Sequence, residues 1–183
     1  MDLLRGGAEF PFEFLHAEIV SALYELESEA MTKESSSGSE QSDLFLTPVF
    51  KPSASTKLNF MGYRVGFALV ERVSKDFPRF TTQLDCMKFI CKDFWLGIFR
   101  KQVDNLRTNH QGTYVVQDND FRPLSCLSAA NNSLPNDIAH RYISFTAGLI
   151  RGALANLGIM VQISTEITPA APAIRFNIVV QSH

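Results

Sequence analysis

The period of the hydrophobic pattern changes along this chain, and the order of the changes restricts the folds available to it. Apolar residues recur at helical spacing in three successive segments and then at alternate positions in a fourth. A further helical segment and a further alternating segment complete the chain. This order favours an antiparallel sheet over a doubly wound parallel one. We therefore predict an α+β fold, in which a four-stranded antiparallel sheet of two hairpins carries about four helices on one face.

The first two predicted helices carry stripes of apolar side chains with three- and four-residue spacing. The stripe of the first helix consists of Phe12, Leu15, Ile19 and Leu23. The stripe of the second helix consists of Leu58, Met61, Val65, Leu69 and Val73. Gly62 and Gly66 lie one turn apart on a neighbouring face of the second helix, where we expect another element to pack closely.

The other two predicted helices are longer or more apolar. The third should run unbroken from a cap at Thr82 to Ile98, and the fourth from about Asp137 to Leu157. A glycine pair in the fourth helix, Gly148 and Gly152, repeats the earlier spacing and again indicates close packing. Arg151 interrupts this apolar helix, and a buried guanidinium needs a partner to offset its desolvation. We predict an ion pair within the chain.

Two hairpins are predicted from alternating and β-branched runs. In the first, a strand and turn at 113–120 precede a second strand that contains Pro123. Proline cannot donate to a sheet ladder, so that second strand should lie at an edge or begin beside Pro123. The polar run at 104–110 is interpreted as a helix cap and a turn. The second hairpin joins alternating segments at 159–163 and 174–180.

Between the first two helices, from Met31 to Ser55, the composition shifts to Ser, Gly and Pro with scattered charge. Such a stretch buries too little apolar surface to offset the entropy cost of ordering it. We predict a flexible insert at 31–55 within a single domain of residues 1–183. Its apolar residues at 44–46 and 49–50 leave open either transient docking as a short motif or an incidental contact.

Charge and reactive residues argue against several functional classes. The formal net charge of −2 supplies no overall cationic field for nucleic-acid binding, and membrane contact should be peripheral at most. The four histidines lack metal-ligand spacing, so we expect no metal and no cofactor. Cys86, Cys91 and Cys126 lie in apolar periodic segments, where a buried hydrophobe is commoner than a nucleophile. We predict no catalytic residues and a reducing cytosolic environment.

Several strings resemble the small subunits of the transport protein particle (TRAPP). Met61-Gly62-Tyr63-Arg64-Val65-Gly66 and Gly148-Leu149-Ile150-Arg151-Gly152-Ala153-Leu154 are similar to two segments shared by its subunits 3, 5 and 6. The strings at 87–95, 101–112 and 117–119 resemble subunit 6 within that branch. The resemblance covers the first helix and everything from about Thr56 onwards, and it leaves the insert unmatched.

The resemblance implies a non-catalytic scaffold that forms a heterodimer with TRAPP subunit 3 and contacts other core subunits. Through the whole complex it would serve Rab-family GTPase activation, at the periphery of endoplasmic reticulum and Golgi membranes. In subunit 3, a cysteine in the loop after the second helix carries an acyl chain, whereas 77–83 contains no cysteine here. The alternative function is a stand-alone lipid or acyl-chain carrier.

The resemblance also implies that dimers form through the first two helices. The helices carry more apolar faces than one four-stranded sheet can cover, so some of these faces should contact another chain. The predicted anchors of this partner interface are Phe12, Leu15, Ile19, Leu23, Phe60 and Phe67.

Overall fold

The computed structural model describes residues 11–36, 52–109, 111–128, 136–167 and 173–181. The helices are α1 (Pro11–Ser36), α2 (Ala54–Ser74), α3 (Gln83–Phe89), α4 (Trp95–Phe99), α5 (Arg122–Ser128) and α6 (Asn136–Asn156). A π-helical turn, Ile90–Phe94, joins α3 to α4. The strands are β1 (Asn105–Thr108), β2 (Thr113–Asp118), β3 (Val161–Ile167) and β4 (Ile174–Val180).

The four strands form an antiparallel sheet in the order β1-β2-β4-β3, so two hairpins pair through their second strands. Tyr114 and Val116 of β2 are opposite Ile178 and Phe176 of β4, and all four side chains are buried. The alternate residues of both strands are half-buried or exposed. The strand pairing confirms the predicted α+β fold with a four-stranded antiparallel sheet. Only one face of the sheet contributes to the core, as is common for antiparallel sheets.

The first hairpin differs from its prediction. Its strands are β1 and β2, and the predicted second strand around Pro123 is instead the short helix α5. Proline fits the first turn of a helix, where its missing N–H would have no intrahelical partner. The polar run read as a helix cap contributes β1, and the turn follows it: the Oδ1 atom of Asn109 accepts hydrogen bonds from the backbone N–H groups of Gln111 and Thr113.

The predicted unbroken third helix is interrupted by the π-helical turn. A π turn places one extra residue in the helix and changes which backbone groups pair. The carbonyl oxygen of Cys91, inside this turn, accepts a hydrogen bond of 3.0 Å from the backbone N–H of Val103. The turn therefore ties the helix to the segment that leads into β1. Trp95, directly after it, donates from Nε1 to the buried carboxylate of Asp118 at 2.9 Å.

Glycines bring α2 and α6 into backbone contact. A Cβ added to Gly62 or Gly66 would overlap the carbonyl oxygen of Phe145 or Leu149 on α6. On α6, a Cβ added to Gly148 or Gly152 would overlap a carbonyl oxygen of α2. Such close approach permits Cα–H···O contacts between helix backbones. The close packing expected from both glycine pairs is therefore confirmed, and the two pairs face each other.

The buried stripe of α2 differs from the predicted one. It follows the glycines, as Ala54, Leu58, Gly62, Gly66 and Val70. Met61 and Val65, which were expected on the buried stripe, are exposed instead. The reason is geometric, because the glycine row lets α6 approach along a line that larger side chains could not occupy. Apolar side chains beside that row are left facing outwards.

The bounds of the predicted insert also change. Residues 31–36 continue α1, and Ser53 caps α2 by accepting a hydrogen bond from the backbone N–H of Thr56. Ala54 is buried, and its backbone N–H donates to Glu27 of α1 at 3.2 Å. The remainder of the predicted insert, 37–51, lies outside the described residues, as do its apolar residues at 44–46 and 49–50.

Candidate partner interface

Helix α1 presents two different apolar faces. Phe12, Ile19 and Leu23 are half-buried and pack against the core of the domain. The ring of Phe12 lies 5.7 Å from Phe99 and 6.3 Å from Phe145, measured between centroids. Leu15 points away from the core and is 60% exposed. Of the four residues predicted as anchors on α1, Leu15 is thus the one that the domain itself leaves uncovered.

Helix α2 leaves a longer apolar face uncovered. Both predicted anchors are exposed, Phe60 by 58% and Phe67 by 42%. Met61 and Val65 of the predicted apolar stripe are also exposed. The signal that identifies them was present in the sequence, since glycines at 62 and 66 mark the face on which another helix lies. We call the exposed residues Leu15, Phe60, Met61, Val65 and Phe67 the apolar surface.

An arginine–aromatic cluster adjoins the apolar surface. The guanidinium carbon of Arg151 on α6 lies 5.2 Å from the ring centroid of Tyr63 on α2. Tyr63 in turn stacks on Phe67, with centroids 6.2 Å apart. The predicted ion pair is wrong, because no carboxylate among the described residues pairs with Arg151. The Nε atom of Arg151 is buried and has no hydrogen-bond acceptor.

Among the described reactive groups, Cys86, Cys91 and His16 are buried, whereas His140 is exposed. Burial raises the pKa of the Cys91 thiol to about 12, which keeps it protonated at neutral pH. Burial lowers the pKa of His16 to about 4. No group of three potential metal ligands occurs among the described residues. His110, His183 and the side chain of Cys126 lie outside them. No helix described is long and apolar enough to cross a membrane.

The loop after α2 is fixed by aromatic contacts. The rings of Phe77 and Phe80 lie 5.0 Å and 4.9 Å from that of Phe89, measured between centroids. Deeper in the domain, Trp95, Phe99, Phe121 and Phe176 form a second aromatic cluster between the helices and the sheet. Large side chains therefore fill this part of the domain.

Comparisons with known proteins agree with the architecture. The family model described as "Transport protein particle (TRAPP) component" matches residues 12–181. Trafficking protein particle complex subunit 6B of Homo sapiens is 46% identical over 170 residues, covering 93% of this chain and 95% of that protein. Subunit 6b of Danio rerio is 45% identical with the same coverage, and human subunit 6A is 39% identical over 169 residues, covering 92% of this chain and 94% of that protein.

A solved structure also shares the fold. It is a trafficking protein particle complex subunit 3 from Naegleria fowleri, covalently bound to palmitic acid. The two structures align with a TM-score of 0.60, covering 94% of this chain and 96% of the other. Their sequences are 16% identical, so this likeness concerns the fold alone.

Proposed function

The chain belongs to the transport protein particle (TRAPP) component family, and from that premise we propose that it is a non-catalytic scaffold subunit that pairs with TRAPP subunit 3. The observation that carries this proposal is the apolar surface on α1 and α2. Monomeric soluble proteins expose single apolar side chains commonly, but contiguous apolar faces mark sites of association. Leu15, Phe60 and Phe67 are the anchors that the domain leaves available to a partner.

A stable pair requires a few buried anchors within an interface of roughly 1,600 Å². Phe60 and Phe67 supply large apolar contact area on one side of α2, and Met61 and Val65 are exposed on the other flank of its glycine row. In the assembled particle this subunit holds the core together while the complex acts as an exchange factor for Rab-family GTPases. Its place is cytoplasmic, at the periphery of endoplasmic reticulum and Golgi membranes.

A stand-alone lipid carrier is the alternative, and the packing of the domain disfavours it. Centroid distances in the aromatic cluster range from 4.6 Å, between Trp95 and Phe99, to 6.2 Å, between Phe121 and Phe176. These rings pack at the distances of ordinary aromatic pairs. A carrier would need that space for its acyl chain.

Native mass spectrometry distinguishes the two functions. The chain is expressed alone and together with TRAPP subunit 3, and the intact masses of the purified species are measured. A one-to-one heterodimer in which this chain carries no lipid, whatever acyl chain subunit 3 brings, supports the scaffold function. A monomer that retains lipid and ignores subunit 3 would contradict it and support the carrier. Nucleotide exchange by the whole particle, assembled with and without this subunit, then tests the link to the GTPase.

A further inference from the structure

Arg151 has the features of an arginine whose partner lies on another chain. It lies in the middle of α6 with its side chain half-buried, and its Nε atom is enclosed by the domain. It makes no hydrogen bond or ion pair with any described residue, and its buried Nε–H has no acceptor. Buried donors without acceptors are rare in folded proteins, because the cost of desolvation is not recovered.

The ring of Tyr63 compensates only part of this cost. A guanidinium over an aromatic face gains electrostatic energy from the ring, but the buried Nε–H of Arg151 still lacks an acceptor atom. Glu71, farther along α2, accepts a hydrogen bond of 2.9 Å from Asn156, which also donates to the carbonyl oxygen of Phe67, and it does not pair with Arg151. Arg151 is therefore a cation without a carboxylate, beside an uncovered apolar face.

The surroundings of Arg151 determine which kind of partner fits. Phe60, Tyr63 and Phe67 follow one another at i, i+3 and i+7 on α2, so they share one side of that helix. Phe60 and Phe67 are exposed there, and the Phe67 ring extends the stack that Tyr63 begins under the guanidinium. An apolar helix face with one acidic side chain complements this arrangement in shape and in charge.

We propose that Arg151 is the polar anchor of the heterodimer interface, and that subunit 3 places an aspartate or glutamate side chain against its guanidinium. Apolar side chains of the same partner helix cover Phe60 and Phe67. Closing this contact removes water from the pair, and the planar guanidinium can hold a carboxylate by two parallel hydrogen bonds. The inference rests on the proposed function, because it specifies how the partner is recognised.

The test measures the affinity for purified subunit 3 by calorimetry at low and high ionic strength. Arg151→Met retains an unbranched apolar stem and should weaken binding about tenfold or more at low ionic strength. It should also reduce the salt dependence of the affinity. Arg151→Lys retains the positive charge but lacks the planar guanidinium, so its affinity for subunit 3 should lie between those of the wild type and Arg151→Met. Arg175→Met, an exposed arginine of β4, is the matched control and should bind as the wild type does.

Melting temperatures of the free variants separate an interface role from a structural one. If Arg151→Met is folded and binds with wild-type affinity and salt dependence, the proposed role of Arg151 is overturned. The proposed pairing with subunit 3 is not affected by that result. If Arg151→Met does not fold, Arg151→Lys decides, and wild-type affinity for that variant overturns the bidentate contact. If the wild type itself does not bind subunit 3, the proposed function fails together with the inference.

Discussion

His16 makes the stability of this domain depend on pH. Its ring lies between three aromatic side chains of α1 and α6, with centroid distances of 5.8 Å to Phe12, 5.6 Å to Tyr142 and 5.2 Å to Phe145. Neither ring nitrogen has a hydrogen-bond partner. Burial disfavours the imidazolium and lowers the pKa from 6.5 to about 4 in the folded state.

The sign of the effect follows from proton binding. Between pH 6.5 and about 4, the unfolded chain binds a proton at His16 and the folded chain does not. The contribution of neutral, buried His16 to the free energy of unfolding is therefore fully present above pH 6.5. It decreases as pH falls through this window. At about 1.4 kcal/mol per pKa unit, the full difference is about 3.5 kcal/mol. About 2.5 kcal/mol of it should be lost between about pH 7 and about pH 4.5.

Urea unfolding at these two pH values measures the effect. His16→Phe keeps an aromatic ring in the same space and removes the titrating group, so its loss of stability on acidification should be smaller than that of the wild type by about 2.5 kcal/mol. His140→Phe changes an exposed histidine of α6 and should retain the wild-type pH dependence. The reasoning would be refuted if His16→Phe and wild type lost equal stability on acidification.

Four further changes test the packing and the segment at 37–51. Gly152→Ala should destabilise the domain by about 1–3 kcal/mol in a denaturant titration, because its Cβ meets a backbone carbonyl of α2. Gly97→Ala, on an open surface, should stabilise the domain by about 0.5–1 kcal/mol in the same assay. Asp118→Ala leaves the indole N–H of Trp95 buried without an acceptor and should cost about 1–3 kcal/mol, so an unchanged midpoint would contradict that network. Deletion of 37–51 should leave the melting temperature and pairing unchanged, and a large fall would indicate that this segment contributes to the fold.

The fold class could be predicted because alternation and helical spacing are local properties of the sequence. Ile174, Phe176 and Ile178 alternate with more exposed residues, and this alone fixes which face of β4 is buried. The short strand β1 was missed because four residues with a mixed polar composition carry little periodic signal. The π-helical turn was missed because the apolar spacing around it still fits a continuous helix.

The candidate interface was predicted only in part, for a different physical reason. A hydropathy pattern identifies helix faces from their apolar side chains. The packing of α2 on α6 depends instead on the absence of side chains at Gly62 and Gly66. Met61 and Val65 were therefore placed on the predicted apolar stripe although they are exposed. The need of Arg151 for a partner could be inferred from its place in an apolar helix. Whether that partner lies within the chain depends on tertiary contacts, which a single sequence does not specify.

Pairing through the apolar surface is the central claim, and the affinity for TRAPP subunit 3 tests it most directly. Leu15→Asp and Phe60→Asp each place a carboxylate in the proposed contact, while Val179→Asp changes a residue of β4 that is 46% exposed and lies away from it. Circular dichroism first confirms that each variant is folded. The account predicts that the first two variants lose about 2 kcal/mol or more of binding free energy and that Val179→Asp loses none. Undiminished affinity in folded Leu15→Asp and Phe60→Asp would contradict it.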